Sequence, residues 1–425
     1  MTASVTAARE PTRRVQLQVT LFGGLAAFTA YFSMYAFRKP FTAGTYESVA
    51  GWTAALDFKV ALVIAQVAGY AISKIIGVKI VSEMSPARRG LAILVLIGLS
   101  WLALLLFAVV PAPYKIAALF LNGLPLGLIW GLVFGYIEGR RTSELLGAML
   151  CASFIIASGM VKSVAVWLMV DLGVTEMWMP AATGALFLPV LAVSVWGLQR
   201  IPPPSAADIA ERTERRPMNA AERGAFFAAY APGLVLLVAA YVLFTAFRDF
   251  RDNFAAEIWT ALGQGGVSSV FTASEAPVAV ATLLVLGSLM LVRDNRRALI
   301  AMHFVCAAGA LLIGLSTYAF QTGWLDPLAW MILSGAGLYF AYTPFNAMLF
   351  DRLIAATRQI ATAAFLIYVA DAAGYVGSVG LMLYRNFGAA DLDWLAFFTL
   401  GAYVASATGL VLTLASALYF TRRLR

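Results

Sequence analysis

Long apolar runs alternate with short polar breaks along the whole chain. Twelve runs stand out: residues 17–37, 60–80, 91–110, 115–137, 145–170, 178–198, 226–247, 270–292, 298–320, 328–350, 359–384 and 394–420. A helix needs about 20 apolar residues to cross a hydrocarbon core of about 30 Å, since each residue rises about 1.5 Å. Barrel strands would appear as alternating segments of about 10 residues, and these runs do not alternate. The expected fold class is an all-α membrane protein, with twelve transmembrane helices in two six-helix pseudo-symmetric bundles. The polar start MTASVTAAREPTRR carries Glu10 and lacks the charged-then-apolar order of a signal peptide, so the first helix is expected to remain.

The longest polar break, RIPPPSAADIAERTERRPMNAAER at 200–223, separates six runs from six. The expected organisation is a cytoplasmic tail at 1–16, an N-terminal bundle at 17–199, a cytoplasmic linker at 200–224, and a C-terminal bundle with a short cytoplasmic tail at 225–425. The halves echo one another. YFSMYAFRKPF (31–41) and YVLFTAFRDFR (241–251) share a Tyr and an Ala-Phe-Arg at an offset of 210. Glu138-Gly139-Arg140-Arg141 follows the fourth run and Asp351-Arg352 the tenth. Parallel repeats of this kind place a substrate site between them, near mid-membrane.

Charge adds the orientation. Twenty-one of the 30 basic residues fall on the breaks that share a side with the N-terminus. By the positive-inside rule both termini are cytoplasmic, in the cell (inner) membrane. Composition then narrows the classes. The chain is 61% hydrophobic and 12% charged, with a mean hydropathy of +0.83. A soluble chain would be about 25% charged. A soluble enzyme, a disordered protein and a nucleic-acid-binding domain are excluded. The net charge of +8 is a topology label rather than a sign of an acidic partner. No GxxxxGK[ST] loop appears, which argues against an ATP-driven pump. Cys151 and Cys306 lie inside helices without metal-ligand company, and the single His303 reads as a packed helix residue. No cofactor, metal or nucleic acid is expected. The expected partners are a small anionic solute and membrane lipid, and the protein is expected to be monomeric.

A charge within the hydrocarbon costs about 2.5–3.5 kcal/mol on insertion scales, so it faces a partner or a wet cavity. Nine bases lie away from the cytoplasmic breaks: Arg38, Lys39, Lys59, Lys74, Lys115, Lys162, Arg248, Arg251 and Arg385. Lys59, Lys115 and Arg385 sit at helix ends, where long side chains snorkel. Arg38 and Arg248 hold matching places in the two halves. Two permanently charged guanidiniums facing one pore repel unless an anion or acid lies between them, which points to an anionic substrate. A plainer reading pairs each with a local acid, from Asp249, Asp252 and Glu47. Asp371, inside the eleventh run, is the most isolated acid of the second half. It could neutralise a base, carry a proton or touch substrate. The glycine sets Gly123/Gly127/Gly131 and Gly374/Gly377/Gly380 suit close helix packing.

The helix plan and several motifs resemble the major facilitator superfamily. More narrowly they resemble its organophosphate:inorganic phosphate antiporter branch, which includes glycerol-3-phosphate and hexose-phosphate transporters. The motifs are Tyr35-x-x-Arg38-Lys39-x-Phe41, Tyr70-x-x-Ser73-Lys74, Arg248, Asp252 (or Asn253), Glu275 and Gly374-Tyr375-x-Gly377. The resemblance implies that Arg38 and Arg248 bind phosphate and that Glu275 interacts with Lys39. The chain departs from that branch where it has a fifth-helix histidine: the position, near Ile156, is apolar here. Asp371 has no counterpart, and the loop after the second helix is degenerate, with Gly77 followed by Glu83 and Arg88-Arg89.

The expected substrate-binding residues are therefore Arg38, Arg248, Lys39, Lys74, Tyr35 and Tyr241, and the expected ion-pair or proton-coupling residues Asp252, Glu275 and Asp371. They would serve a secondary active transporter that moves a small organic anion by alternating access. A phosphate ester exchanged for phosphate is the form that the resemblance implies. The alternatives are proton-coupled symport or efflux of another solute through Asp371, and a transporter-like membrane sensor.

Overall fold

The computed structural model describes residues 13–137, 143–202, 220–357 and 363–424. Most of the expected tail at 1–16 and of the linker at 200–224 lies outside the described residues, as do Arg140, Arg141 and Arg358.

Among the described residues twelve long helices are present. The first half holds α1 (Arg13–Tyr35), α2 (Phe58–Glu83), α3 (Pro86–Val109), α4 (Ala112–Ile137), α5 (Ser143–Val170) and α6 (Met179–Gln199). The second holds α7 (Ala220–Asn253), α8 (Ser269–Met290), α9 (Asn295–Gln321), α10 (Pro327–Pro344), α11 (Ala363–Leu383) and α12 (Trp394–Arg423). Among the described residues nine are long and apolar enough to cross a membrane by length and composition. In lipid the backbone must satisfy its own hydrogen bonds, and that is why apolar runs of this length fold as helices. Their starts are set by local chemistry. Asp57, Asp294, Asp326 and Asp393 cap α2, α9, α10 and α12 by accepting backbone N–H bonds. Pro86 opens α3, where a missing N–H costs nothing.

The packing repeats with the chain. The pairs α1–α5, α1–α6, α2–α4, α3–α4 and α3–α6 recur as α7–α11, α7–α12, α8–α10, α9–α10 and α9–α12. Two contacts between long helices of the two halves, α5–α8 and α2–α11, exchange under the same shift of six helices. The fold is therefore two pseudo-symmetric six-helix bundles. Glycine permits the closest approaches. A Cβ on Gly123 of α4 would lie 2.3 Å from the Gln66 carbonyl of α2, and one on Gly69 the same distance from the Phe120 carbonyl. Gly127 faces α2 and Gly374 and Gly377 face α7, so these glycines pack helices together.

Two expected helix-end lysines differ. Lys59 does not snorkel. It is 1% exposed, because Glu257 on the short helix Ala255–Ala261 neutralises it. Lys115 turns back and donates to the carbonyl of Phe107 at the end of α3. His303 is buried, with Nδ1 on the Leu299 carbonyl and Nε2 on the Ser416 hydroxyl.

Candidate functional site

Pro40 cannot extend α1, so the chain turns after Tyr35 into a short buried helix, Pro40–Ala43. The exposed carbonyls at that break are met from neighbouring helices. Gln66 donates to the Arg38 carbonyl at 2.9 Å and to Asn122 at 2.7 Å, and Asn122 donates to the Phe37 carbonyl at 2.9 Å. Gln66 is eight residues into α2, about 12 Å along its axis. Arg38 therefore sits within the membrane span and not at its edge. The segment beyond it fills the face where α1 ends and α2 begins, called here the far face. Glu176 accepts from the backbone N–H groups of Thr45 and Tyr46 there, at 2.8 and 3.2 Å. Burial, with Glu176 and Glu257 nearby, pushes the Tyr46 hydroxyl above its ordinary pKa.

Two groups of charges lie between the halves. The first is partly open. Lys74 of α2 meets Asp371 of α11 at 2.7 Å, and Tyr241 of α7 donates to the other Asp371 oxygen. Tyr241 also lies 3.2 Å from Asn346, which is carried by a widened turn, Phe345–Leu349, after Pro344 ends α10. Arg248 pairs with its neighbour Asp249 at 2.6 Å, and Ser378 donates to that carboxylate at 2.7 Å. Its guanidinium covers the Tyr342 ring at 4.3 Å. The Arg38 guanidinium lies 4.0 Å from the Tyr70 ring and 5.8 Å from that of Tyr35. Among the described residues it forms no ion pair and its side chain donates no hydrogen bond.

In the second group, which lies toward the far face, the bases are nearly sealed. Asp252 receives Lys39 at 2.5 Å on one oxygen and Lys162 at 2.5 Å on the other. Ser158 also donates to it, and Lys162 donates to its backbone carbonyl. Lys39 further donates to Asn253 at 2.7 Å. Lys59 pairs with Glu257 at 2.5 Å and Arg251 with Glu275 at 2.6 Å. The bases differ: the side chains of Lys39, Lys59, Lys162 and Arg251 are 6, 1, 3 and 3% exposed, against 23 and 17% for Lys74 and Arg248, whereas the acids Asp252 at 17% and Asp371 at 16% are alike. The bases of the first group are therefore the more accessible, and those of the second lie beyond them toward the far face.

The structure brings Arg38, Tyr35, Lys74, Asp371 and Tyr241 together, and places Arg248 in the same layer. Three expectations change. Glu275 pairs with Arg251, and Lys39 takes Asp252 and Asn253 instead. Arg38 and Arg248 are not equivalent: the residue after Arg38 is Lys39, whereas the residue after Arg248 is Asp249, which neutralises it. Asp371 is not isolated, since Lys74 and Tyr241 hold both its oxygens. Sequence reading did not assign Glu257, Asn346 or Tyr342 to the site. Nothing in local spacing links Lys59 to Glu257, 198 residues away.

The fold is that of the major facilitator transporters. The chain resembles a D-xylose-proton symporter (TM-score 0.65, 14% identity, 94% of this chain and 97% of that one). It also resembles a bacterial homologue of the human drug peptide transporters PepT1 and PepT2 (TM-score 0.63, 13% identity, 96% and 100%). A third likeness is to the nucleoside transporter NupG (TM-score 0.59, 11% identity, 96% and 99%). The protein is thus a multi-pass integral membrane protein. It belongs to the family described as "Family of unknown function (DUF5690)", which matches residues 40–423. None of the curated proteins matches the chain.

Proposed function

We propose that this protein is a secondary transporter that carries a small organic anion across the cell membrane by alternating access, with Arg38 as the anchor for the anion. The observation that carries the reading is the state of Arg38. Among the described residues, seven bases and five acids lie between the halves, and six of the bases have an acid partner. Arg38 alone among them has none. An uncompensated charge at this depth costs about 2.5–3.5 kcal/mol, which a bound anion would offset. Guanidinium presents a planar fork that matches carboxylate or phosphate. The structural likeness to a sugar symporter, a peptide transporter homologue and a nucleoside transporter supports transport at the level of fold. The motif Tyr35–Phe41 by resemblance suggests exchange of a phosphate ester for phosphate, but the pairing of Lys74 with Asp371 favours a singly charged organic anion over that dianionic pair. Alternating access is then a population shift between two states of the paired bundles, and needs no covalent chemistry.

Purified protein in liposomes tests this. Saturable counterflow of at least one organic anion is expected, and Arg38→Gln should reduce it by about 100-fold, the loss of a charged hydrogen-bonding partner. If Arg38→Gln leaves the transport of every accepted solute intact, the anchor is wrong. A second reading, proton coupling through Asp371, is favoured by its partly open pair with Lys74. An imposed pH gradient should then drive uptake by the wild type and not by Asp371→Asn. Transport by the protein alone would set the sensor reading aside.

A further inference from the structure

We infer that Asp371 sets the valence of the transported solute: by occupying Lys74 it leaves the cleft one free positive charge, so the site takes a singly charged organic anion and disfavours a dianion. This rests on the proposed role of Arg38 as anchor and names the class of anion it holds.

The argument is one of charge and reach. Arg38 and Lys74 flank the same ring, that of Tyr70, at 4.0 and 5.5 Å, so the two cations lie within about 10 Å of each other. Were Lys74 free, a phosphate monoester dianion could span them. Asp371 is already there, 2.7 Å from the ammonium. Tyr241 holds its second oxygen from α7, and Tyr241 itself is braced by Asn346. The carboxylate is therefore an internal counter-anion supplied by the second half to a lysine of the first. Arg248 brings no further charge, because Asp249 neutralises it. A second surplus positive charge remains in the Lys39–Asp252–Lys162 group, where two ammoniums share one carboxylate; these ammoniums are 6 and 3% exposed and hydrogen-bonded to Asp252 and Asn253, so they are not offered to a solute as Arg38 is. Tyr35 and Tyr70 beside Arg38, and Tyr375 beside Lys74, add aromatic rings. What faces an incoming solute is one guanidinium and an aromatic wall.

The test is thermal protection of the purified full-length protein by two sets of probes. Gluconate and lactate carry one charge; glucose 6-phosphate and inorganic phosphate carry about two at a pH of about 8. A monovalent probe is expected to protect the wild type at a concentration at least about tenfold lower than any divalent one. Asp371→Asn frees Lys74 and should reverse that order. Lys74→Gln combined with Asp371→Asn removes both charges and should return the monovalent preference. Lys74→Gln alone leaves the Asp371 carboxylate without its cation in the site that Arg38 serves and should abolish protection by either set, which keeps the test decisive if Asp371→Asn does not fold. The inference is overturned if a divalent probe is preferred by the wild type, or if Asp371→Asn or Lys74→Gln keeps the wild-type order. Absence of protection by every probe, in wild type and Asp371→Asn alike, overturns it together with the anchor. If Arg38→Gln keeps its protection while Asp371→Asn still reverses the order, the anchor fails and the valence rule stands.

Discussion

Arg38 and Arg248 hold the same place in two repeats and differ by one neighbour, lysine in one and aspartate in the other. That single difference leaves one guanidinium open and the other internally paired. Two outcomes follow at this scale. Arg38→Lys keeps the charge but loses the planar fork, so anion affinity should fall by about tenfold without a change in melting temperature. Direct titration against the wild type checks this. Arg248→Met leaves Asp249 with Ser378 and no cation. That should lower stability by about 3–5 kcal/mol, as for other broken buried pairs, and adding Asp249→Asn should restore most of it. Thermal melting of the two variants reads the difference. The residue types of the site were visible in the chain, since arginine and lysine inside apolar runs demand an explanation. Their occupancy was not.

At the scale of elements, the site depends on how closely α2 approaches α4. Gly69 and Gly123 let the two backbones meet, and the Gln66–Asn122 pair at that contact receives the open carbonyls where α1 ends. Gly123→Val puts a branched side chain where a Cβ already lies 2.3 Å from the Gln66 carbonyl. The overpacking should cost about 1–3 kcal/mol in stability and displace Gln66 from the Arg38 carbonyl. Melting temperature should fall and anion protection should weaken together; a loss of stability with unchanged protection would uncouple this contact from the site. The glycine spacing announced close packing, but did not say which helix would be met, because each glycine face could serve several neighbours.

For the whole molecule, polar bonds tie the halves together at the far face: Lys39–Asp252, Lys162–Asp252, Lys59–Glu257, and Asn386 with the N–H of Asp57 at 2.9 Å. Lys59–Glu257 is the most deeply buried of these ion pairs. Glu257→Gln strands the Lys59 ammonium and should shift the population toward a state open at this face. A cysteine placed at Thr42 should then react faster with a water-soluble maleimide, by about tenfold or more, than in the wild-type background. Adding Lys59→Gln removes the stranded charge and should bring the rate back down. An unchanged rate in Glu257→Gln would mean that the pair does not hold this face shut.

The sequence by itself determined the helices, their number and their division into two halves. Lipid accepts a backbone only when its hydrogen bonds are satisfied within the segment, so run length translates directly into a spanning helix. It also showed which bases lie away from the cytoplasmic breaks, though not that Lys59 would be buried against Glu257. Only the tertiary structure decided which charge meets which. Lys74 and Asp371 are 297 residues apart, and Glu275 took Arg251 rather than Lys39. Those choices depend on the rotation of each helix about its axis and on how the two bundles dock, and both are set by packing between distant segments. Local periodicity carries neither. The open valence at Arg38 is therefore a property of the folded assembly, though every residue that creates it was in plain view along the chain.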